Sequence, residues 1–224
     1  MHVHANAATS VDGKLATRLR RQVALSGPAD FERVDGLRAS VDAVLVGVGT
    51  VLADDPHLTS DNRDDGGPAR VVLDSMGRTP TDARVLDGRA PSHVLVAAHC
   101  PADRLEALET AGASVIVTEG QRRADVDTGL DALESAGIER LLVEGGGEVL
   151  YSVFAAGRVD ELTVFVSPHV VGGREAPTLV DGLGFTETFP RLSLEAADRV
   201  DDGLLCTYAV DGWAPSPAAG QSSD

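Results

Sequence analysis

Lysine is almost absent from this chain of 224 residues, which contains only Lys14 against 18 arginines and 35 acidic residues. The formal net charge is therefore −16 at pH 7, and the chain has no long basic run. Nucleic acids and anionic membrane surfaces are bound through clustered lysine and arginine residues. We therefore expect neither nucleic acid nor membrane as a partner.

Aromatic residues and cysteines are scarce too. Aromatic residues make up 4% of the chain, so the core must be aliphatic, and 43% hydrophobic residues suffice for a globular fold. Cys100 and Cys206 are isolated and lack CxxC spacing, which is weak evidence for a disulfide and fits a reduced cytosol equally well. No run approaches the roughly 18 apolar residues of a membrane span, and no signal peptide opens the chain, so we expect a cytoplasmic protein.

Motifs for metal binding and hydrolysis are also missing. The six histidines show no ligand spacing with cysteines or carboxylates, so we expect no metal site. Neither a G-x-S-x-G elbow nor a P-loop occurs. What the chain has in excess is acid, mostly aspartate, and such a composition is typical of proteins that stay soluble in a salt-rich cytosol.

Short valine-rich runs alternate with helical patterns, which predicts an α/β fold with a mostly parallel sheet. The predicted strands are 3–9, 43–47, 70–74, 93–98, 114–118, 140–144 and 162–167. The predicted helices are 30–39, 49–54, 101–111, 126–136 and 149–156. Runs at 192–197 and 204–210 predict a closing antiparallel pair. We expect one domain over residues 1–213 and a disordered tail, rich in Pro, Ala, Gly and Ser, over 214–224.

The first predicted helix carries two specific expectations. Asp30 is the expected N-cap, because an aspartate side chain can accept a hydrogen bond from the first free N–H groups. Phe31, Val34 and Leu37 recur at a spacing of three and are the expected buried face.

The strongest local signal is a buried strand that runs into three glycines, Leu-Leu-Val-Glu-Gly-Gly-Gly-Glu at residues 141–148. Glycine allows the backbone to approach a ligand closely, and the start of the next helix offers free N–H groups to a phosphate. Ligands bind at the carboxyl ends of strands in open α/β sheets. Since a tight turn alone needs fewer glycines, the pattern predicts a ligand site here.

A second strand end carries Gly47-Val-Gly49-Thr50, with Asp54 one turn later. This is not a GxGxxG fingerprint, because Leu52 stands at the third glycine position, so a Rossmann assignment is poor. Thr50 either contacts a ligand or caps the short helix. Asp54 either meets a hydroxyl group or is a solvated charge.

A third strand end carries Asp74-Ser75, with Arg78 close behind. An acid at such a position often holds the ribose of NAD, whereas a serine with an arginine suits a 2′-phosphate. The residues leave both readings open.

The single lysine lies in Ser-Val-Asp-Gly-Lys, residues 10–14, directly after a turn dipeptide. It either survives by chance on a solvated turn or is a fixed ammonium group beside an anionic or hydroxylated ligand. Arginine does not simply substitute in the second role.

Taken together, six segments in order resemble the reductases of riboflavin biosynthesis, and they span the chain to about residue 210. No single segment is specific, but the ordered series is. The similarity is to the stand-alone archaeal type, because no deaminase segment with zinc ligands precedes it. The segments are 6–16, 37–59, 70–75, 143–147, 157–161 and 172–177.

The resemblance implies a dihydrofolate-reductase-like three-layer α/β fold with a mixed, mostly parallel central sheet. It implies NADPH as hydride donor, with NADH possible, and usually a homodimer. The implied substrate is 2,5-diamino-6-ribosylamino-4(3H)-pyrimidinone 5′-phosphate, whose ribosyl group is reduced to ribityl. Two alternatives remain open, a dihydrofolate or other pterin reductase on the same fold and a nucleotide-binding protein without catalysis.

The resemblance also implies residue roles. Substrate contacts fall on Lys14, Arg38 and Glu144, and catalysis on Lys14 and Glu144. The implied cofactor contacts are Thr50, Asp54, Leu58, Ser75, Gly146, Gly147 and Glu148.

Three departures from the family pattern stand out. Glu148 replaces a frequent threonine, so its backbone N–H is the expected contact, since a carboxylate beside a pyrophosphate is unfavourable. Ser60 and Asp61 stand where bacterial relatives carry a basic residue. The segment between residues 16 and 30 aligns poorly.

Overall fold

The computed structural model describes residues 1–21, 23–62 and 66–215. The strands are β1 His2–Ser10, β2 Ala43–Gly47, β3 Ala69–Leu73, β4 Ser92–Val96, β5 Ser114–Val117, β6 Arg140–Val143, β7 Glu161–Ser167, β8 Thr188–Val200 and β9 Gly203–Pro215. The helices are α1 Pro28–Ala39, α2 Val48–Asp54, α3 Ala102–Thr110, α4 Val126–Ser135 and α5 Gly147–Ala155, with a 3₁₀ turn at Arg84–Leu86.

One sheet joins the strands of the described chain in the order β5-β4-β3-β2-β6-β1-β7-β9-β8. The strands from β5 to β7 pair in parallel, whereas β9 runs antiparallel to β7 and β8. Because β6 inserts between β2 and β1, the carboxyl ends of these three strands meet at one edge of the sheet. The predicted α/β class with a mixed, mostly parallel sheet is confirmed.

Two aliphatic cores lie on opposite faces of this sheet. On one face, Leu130 of α4 and Leu150 of α5 pack in a buried cluster with Leu141 of β6. On the other, Val51 of α2 and Leu108 of α3 belong to a second buried cluster. Each buried leucine or valine contributes about 1.5–3 kcal/mol relative to an exposed one. The sheet is therefore the middle of three layers.

The expected N-cap of α1 was wrong. The helix begins at Pro28 with Gly27 as N-cap, and Asp30 lies inside the first turn. The free N–H groups of Ala29 and Asp30 donate instead to the carboxylate of Asp201, at 3.3 and 3.1 Å. Asp201 lies in the turn between β8 and β9, so the cap comes from the far end of the chain. A sequence window around α1 could not reveal it.

The expected buried face of α1 was confirmed only in part, because Val34 and Leu37 are half-buried and Leu37 packs against the second cluster. Phe31 is 59% exposed, whereas Asp30 is 2% exposed. Asp30 pairs with Arg33 at 2.8 Å, and Arg33 donates to Asn6 Oδ1 of β1 at 2.9 Å. A polar network therefore joins this part of the helix to the sheet, which satisfies the buried charge.

The closing antiparallel pair is confirmed and is longer than predicted, with 13 residues in each strand. β9 continues to Pro215, two residues into the segment expected to be a tail, and residues 216–224 lie outside the described ranges. Most of β8 is exposed. No helix among the described residues is long and apolar enough to span a membrane.

Candidate active site at the carboxyl edge of the sheet

The carboxyl ends of β1, β2, β3 and β6 point to the same edge of the sheet, because these strands are parallel neighbours or near neighbours. Each end is followed by one of the segments singled out by the sequence. Functional side chains in open α/β sheets collect at such an edge. The candidate site is built from these four strand ends and from the segment 168–181 that follows β7.

Glu144 follows β6 and forms a two-pronged ion pair with Arg38 from the last turn of α1. Arg38 Nε and Nη2 each donate to a different carboxylate oxygen at 2.6 Å, and Nη1 donates to the carbonyl of Thr59 at 3.3 Å. The side chain of Glu144 is 11% exposed and that of Arg38 is 25% exposed. Burial alone would lower the pKa of Arg38, but the hydrogen bonds and charge of Glu144 raise it above the ordinary value. The pair is a fixed, charged element of the site.

The three glycines form the turn from β6 into α5. Backbone conformation favours glycine at two of the positions, and packing requires it at the third. Gly145 and Gly146 have φ of 122° and 82°, a region that favours glycine. A Cβ on Gly147 would lie 2.3 Å from the carbonyl oxygen of Thr178, so this glycine is required by packing. A Cβ on Gly145 would meet no atom within 4 Å. All three glycines are thus accounted for by the turn itself, through backbone conformation at Gly145 and Gly146 and through packing at Gly147.

The start of α5 offers hydrogen-bond donors at this turn. Its N-cap is Gly146, and no side chain caps the helix. Thr50 of α2 lies opposite, since a Cβ on Gly146 would be 3.8 Å from Thr50 Oγ1. Free N–H groups and a positive helix end are suited to an anion such as a pyrophosphate. The arrangement fits a dinucleotide cofactor.

Two other predicted cofactor residues lie on or after α2. Asp54 is the last residue of α2 and is exposed, so its carboxylate is accessible to a ligand. Leu58 differs, because its side chain is 2% exposed and belongs to the core beneath α2. Its φ of 55° is rare for leucine. Only the backbone of Leu58 is therefore in a position to face a ligand.

At the end of β3, Asp74 and Ser75 have separate partners. Asp74 is fully buried and accepts from the N–H and hydroxyl of Thr79, at 2.6 and 2.8 Å. Ser75 Oγ accepts from the N–H of Ala124 at 2.9 Å. Asp74 Oδ1 has no hydrogen-bond partner among the described residues and lies 4.0 Å from Arg78 Nε. Asp74 is thus buried in the fold, whereas Ser75 is half-buried and the side chain of Arg78 is exposed.

Glu148 at the start of α5 is turned to an arginine. Its carboxylate lies 3.6 Å from Arg123 Nη1, and its side chain is 57% exposed. The negative charge of Glu148, which would repel a pyrophosphate, is therefore partly offset by Arg123. The backbone N–H of Glu148 remains part of the uncapped helix start.

Lys14 is held on the segment that follows β7. It forms an isolated antiparallel bridge with Thr178, and its Nζ lies 3.4 Å from the carbonyl oxygen of Ala176. Thr178 in turn touches the glycine turn through its contact with Gly147. Thr178 therefore lies between Lys14 and the start of α5, and Lys14 is at the same edge of the sheet as Glu144.

Asp12 was not singled out by the sequence, although it precedes Gly13 and Lys14. Its carboxylate accepts from the Ser10 hydroxyl at 2.6 Å and from the N–H groups of Val171 and Gly172 at 3.0 and 2.7 Å. The Ser10 bond, followed by the backbone bonds, lowers the pKa of Asp12 to about 2. The Gly-Gly pair at 172–173 was a signal of the turn that presents these N–H groups, since both glycines have positive φ, 68° and 88°.

Within the described ranges, no group of three or more His, Cys, Asp or Glu side chains is placed to hold a metal ion. The edge instead offers an ammonium group, an oriented carboxylate and an anion-binding helix start. These groups can bind a hydroxylated, phosphorylated ligand beside a dinucleotide. They can also stabilise the charge that develops on the ligand when a group is transferred between the two molecules.

Comparison with protein families decides the relationship. The RibD C-terminal domain model matches residues 1–206. The chain belongs to this family. Its relatives include the 2,5-diamino-6-ribosylamino-4(3H)-pyrimidinone 5′-phosphate reductase of Methanothermobacter thermautotrophicus, 42% identical over 94% of this chain and 99% of that protein. The protein of the same name from Archaeoglobus fulgidus is 36% identical over 92% of this chain and 96% of that protein.

Solved structures agree with the fold of this RibD-family chain. A deaminase/reductase from Thermotoga maritima matches with a TM-score of 0.75 and 23% identity, over 93% of this chain and 56% of that one. A dihydrofolate reductase from Enterococcus faecalis matches with a TM-score of 0.50 and 12% identity, over 94% of this chain and 96% of that one. The predicted dihydrofolate-reductase-like fold is confirmed.

Proposed function

We propose that the protein reduces the ribosyl side chain of 2,5-diamino-6-ribosylamino-4(3H)-pyrimidinone 5′-phosphate to the ribityl side chain, with NADPH, in riboflavin biosynthesis. The observation that carries the proposal is the meeting of Lys14, the Arg38–Glu144 pair and the glycine turn at one edge. It occurs in a chain with relatives, at 36% and 42% identity, that are named as reductases of this compound.

The proposed cofactor is NADPH, with NADH as the alternative. The uncapped start of α5 suits the pyrophosphate. The acid at the end of β3, Asp74, is fully buried and is therefore not exposed to the free ribose of NADH. Ser75 and Arg78 suit a 2′-phosphate. The proposed contacts are Thr50, Asp54, Ser75, Gly146, Gly147, the backbone of Leu58 and the N–H of Glu148.

The proposed substrate side consists of Glu144, Arg38 and Lys14. Arg38 fixes the carboxylate of Glu144, and each of its oxygens keeps a lone pair for the donors of the pyrimidine or ribose. Lys14 has three donors and only one long bond, to Ala176. It therefore has donors available for ribose hydroxyls and for charge that develops as the sugar ring opens.

In the proposed reaction the ribosylamine opens to an imine at C1′ of the sugar. C1′ would receive a hydride from NADPH held at the start of α5, and the imine nitrogen would take up a proton. The proton donor is Lys14 or a water molecule that it binds. The contribution of the protein is mainly alignment in a site that excludes water.

Replacement of Lys14 tests the proposal. Lys14→Ala should lower kcat about 100-fold, because stabilisation of developing charge is lost, while the melting temperature stays unchanged. The measurement is NADPH absorbance with the ribosylaminopyrimidine phosphate, and Arg191→Gln on the exposed β8 strand is the control. Near-normal oxidation of NADPH by Lys14→Ala would show that Lys14 does not have the proposed role in the reaction.

The same assay with wild-type protein tests the substrate. Faster reduction of dihydrofolate than of the ribosylaminopyrimidine phosphate would identify a pterin reductase instead. Binding of NADPH without reduction of either compound would identify a nucleotide-binding protein.

We also propose a homodimer in the cytoplasm. The open edge of β8 supports the dimer, because an exposed edge strand can pair with another chain. Leu194 and Trp213 on the same hairpin are 58% and 43% exposed. Sedimentation of the purified protein measures the assembly, and a monomer at high concentration would refute it.

A further inference from the structure

The Arg38–Glu144 pair raises the question of where the substrate's phosphate binds, and the question rests on the proposed function. Arg38 directs Nε and Nη2 to Glu144 and Nη1 to Thr59. Its guanidinium fork is thus committed within the protein. The residues that follow Thr59 are Ser60 and Asp61, and neither is basic. A phosphate monoester therefore needs other cations.

An unusual concentration of positive charge lies beside Lys14. Residues 14–21 contain four of the 19 basic residues of the chain and no acid. The arginines among them occupy a turn at residues 17–21. This turn is closed by a 2.8 Å bond from Arg20 N to the carbonyl of Thr17 and a 3.1 Å bond from Thr17 N to the carbonyl of Arg21. Arg20 has φ 56°.

A second segment adds another arginine to the turn. A Cβ on Gly173 would lie 3.5 Å from Cβ of Arg18, so the two residues are neighbours, and Arg174 follows directly. We call Arg18, Arg20, Arg21 and Arg174 the arginine cluster. All four are exposed. Segment 172–178 therefore joins the cluster to Lys14, which bridges to its last residue.

The cluster is not neutralised by the protein. Among the described residues, no carboxylate forms an ion pair with any of its four arginines, although arginines elsewhere pair with acids, as at Arg38, Arg70 and Arg158. The acid nearest in sequence to Lys14, Asp12, is held by Ser10, Val171 and Gly172. In a chain of charge −16, four exposed arginines without an acidic partner among the described residues are an arrangement suited to an external anion.

We propose that the arginine cluster binds the 5′-phosphate of the substrate and places its ribose beside Lys14. Arginine is suited to this role because its planar fork can donate two hydrogen bonds to a phosphate. The cluster lies on the Lys14 side of the glycine turn, since Thr178 contacts both Lys14 and Gly147. Different segments of the edge would thus bind the substrate phosphate and the cofactor.

The test compares a double variant with a control matched in charge. Arg18→Gln/Arg174→Gln removes two cluster arginines, and Arg89→Gln/Arg140→Gln removes two exposed arginines near the amino ends of β4 and β6, at the edge of the sheet opposite the site. KM is measured for the ribosylaminopyrimidine phosphate and for its dephosphorylated form. We expect KM for the phosphate to rise roughly tenfold or more in the cluster variant, as the loss of a charged contact implies. KM for the dephosphorylated form and for NADPH should not change, and the control should resemble wild type.

Equal changes in KM for both forms, or none for the phosphate, would overturn the proposal. If wild-type protein reduces neither form, the proposed function fails and the cluster is tested by calorimetry with ribose 5-phosphate. Weaker binding to the cluster variant than to the wild type and the control would support the phosphate site. Equal binding, or no binding to wild type, would overturn it. Circular dichroism of each variant establishes that it is folded.

Discussion

Asp12 shows how a surface acid can determine the position of a functional residue. Its carboxylate ties the turn that carries Lys14 to Val171 and Gly172, and Lys14 N donates to Ser10 Oγ at 2.9 Å. The bonds from Val171 and Gly172 are strongest while the carboxylate is ionised, because a charged acceptor binds N–H groups more tightly than a neutral one. The segment after β7 and the end of β1 are thereby held together as one unit.

The pKa of Asp12 predicts a pH dependence. Because folding lowers this pKa from 3.8 to about 2, ionised Asp12 stabilises the fold fully above pH 3.8, and the contribution is lost as pH falls through about 2. Asp12→Asn should therefore be less stable than wild type near neutral pH, with a difference that shrinks in acid. Urea unfolding from neutral pH to about pH 3 measures it.

Asp202→Asn is the control for this prediction, because Asp202 is an exposed neighbour of the β8–β9 turn. A difference between wild type and Asp12→Asn that stays constant down to the lowest pH would contradict the role of the carboxylate.

Single residues were only partly predictable. Glu144 and Thr50 could be placed at the edge, because each follows a strand whose direction the βα alternation determines. The pairing of Arg38 with Glu144 could not, because 106 residues separate them. The commitment of Asp74 to Thr79 was also hidden, since a buried acid and an exposed one look the same in sequence.

At the scale of elements, α1 depends on the distant hairpin for its first turn. Asp201 accepts from Ala29 N and Asp30 N, and a Cβ on Gly27 would lie 2.7 Å from Asp201 Cγ. Glycine at the N-cap is thus required for the close approach of the carboxylate. The carboxylate also favours the positive end of the helix.

Asp201→Ala should cost about 1 kcal/mol, the usual loss when a capping side chain is removed. Chemical denaturation measures the change, and Asp202→Ala serves as the matched control in the same turn. Equal stabilities of the two variants would show that the cap does not contribute.

The order and type of the elements were predictable, and their ends were not. Valine-rich runs in β2 and β6 are buried on both faces and were found by hydrophobicity alone. The buried face of α1 was only partly predicted, because Phe31 is exposed and Asp30 is buried through its pairing with Arg33, which reaches Asn6 of β1. The hairpin strands extend past the apolar runs because backbone pairing between β8 and β9 continues into polar sequence.

At the scale of the whole molecule, the net charge of −16 opposes compaction. Screening acts over about 10 Å at 0.1 M salt and about 3 Å at 1 M. We therefore expect the melting temperature to rise as KCl increases from about 0.1 M to about 1 M. Differential scanning calorimetry measures the rise, and a salt series on a domain of near-zero net charge is the control. Full stability at the lowest salt would contradict a salt-adapted surface.

The bond between the hairpin tip and α1 has a consequence for communication across the molecule. Asp201 binds the first turn of α1, and the last turn of the same helix carries Arg38, which fixes Glu144. α1 thus connects the β8–β9 hairpin at its first turn to Glu144, the proposed substrate-binding carboxylate, at its last turn. If a second subunit docked on the β8 edge displaced Asp201, α1 would move with it, and the resulting coupling to substrate binding would be reciprocal. Occupied sites would then strengthen or weaken the association of subunits by the same factor.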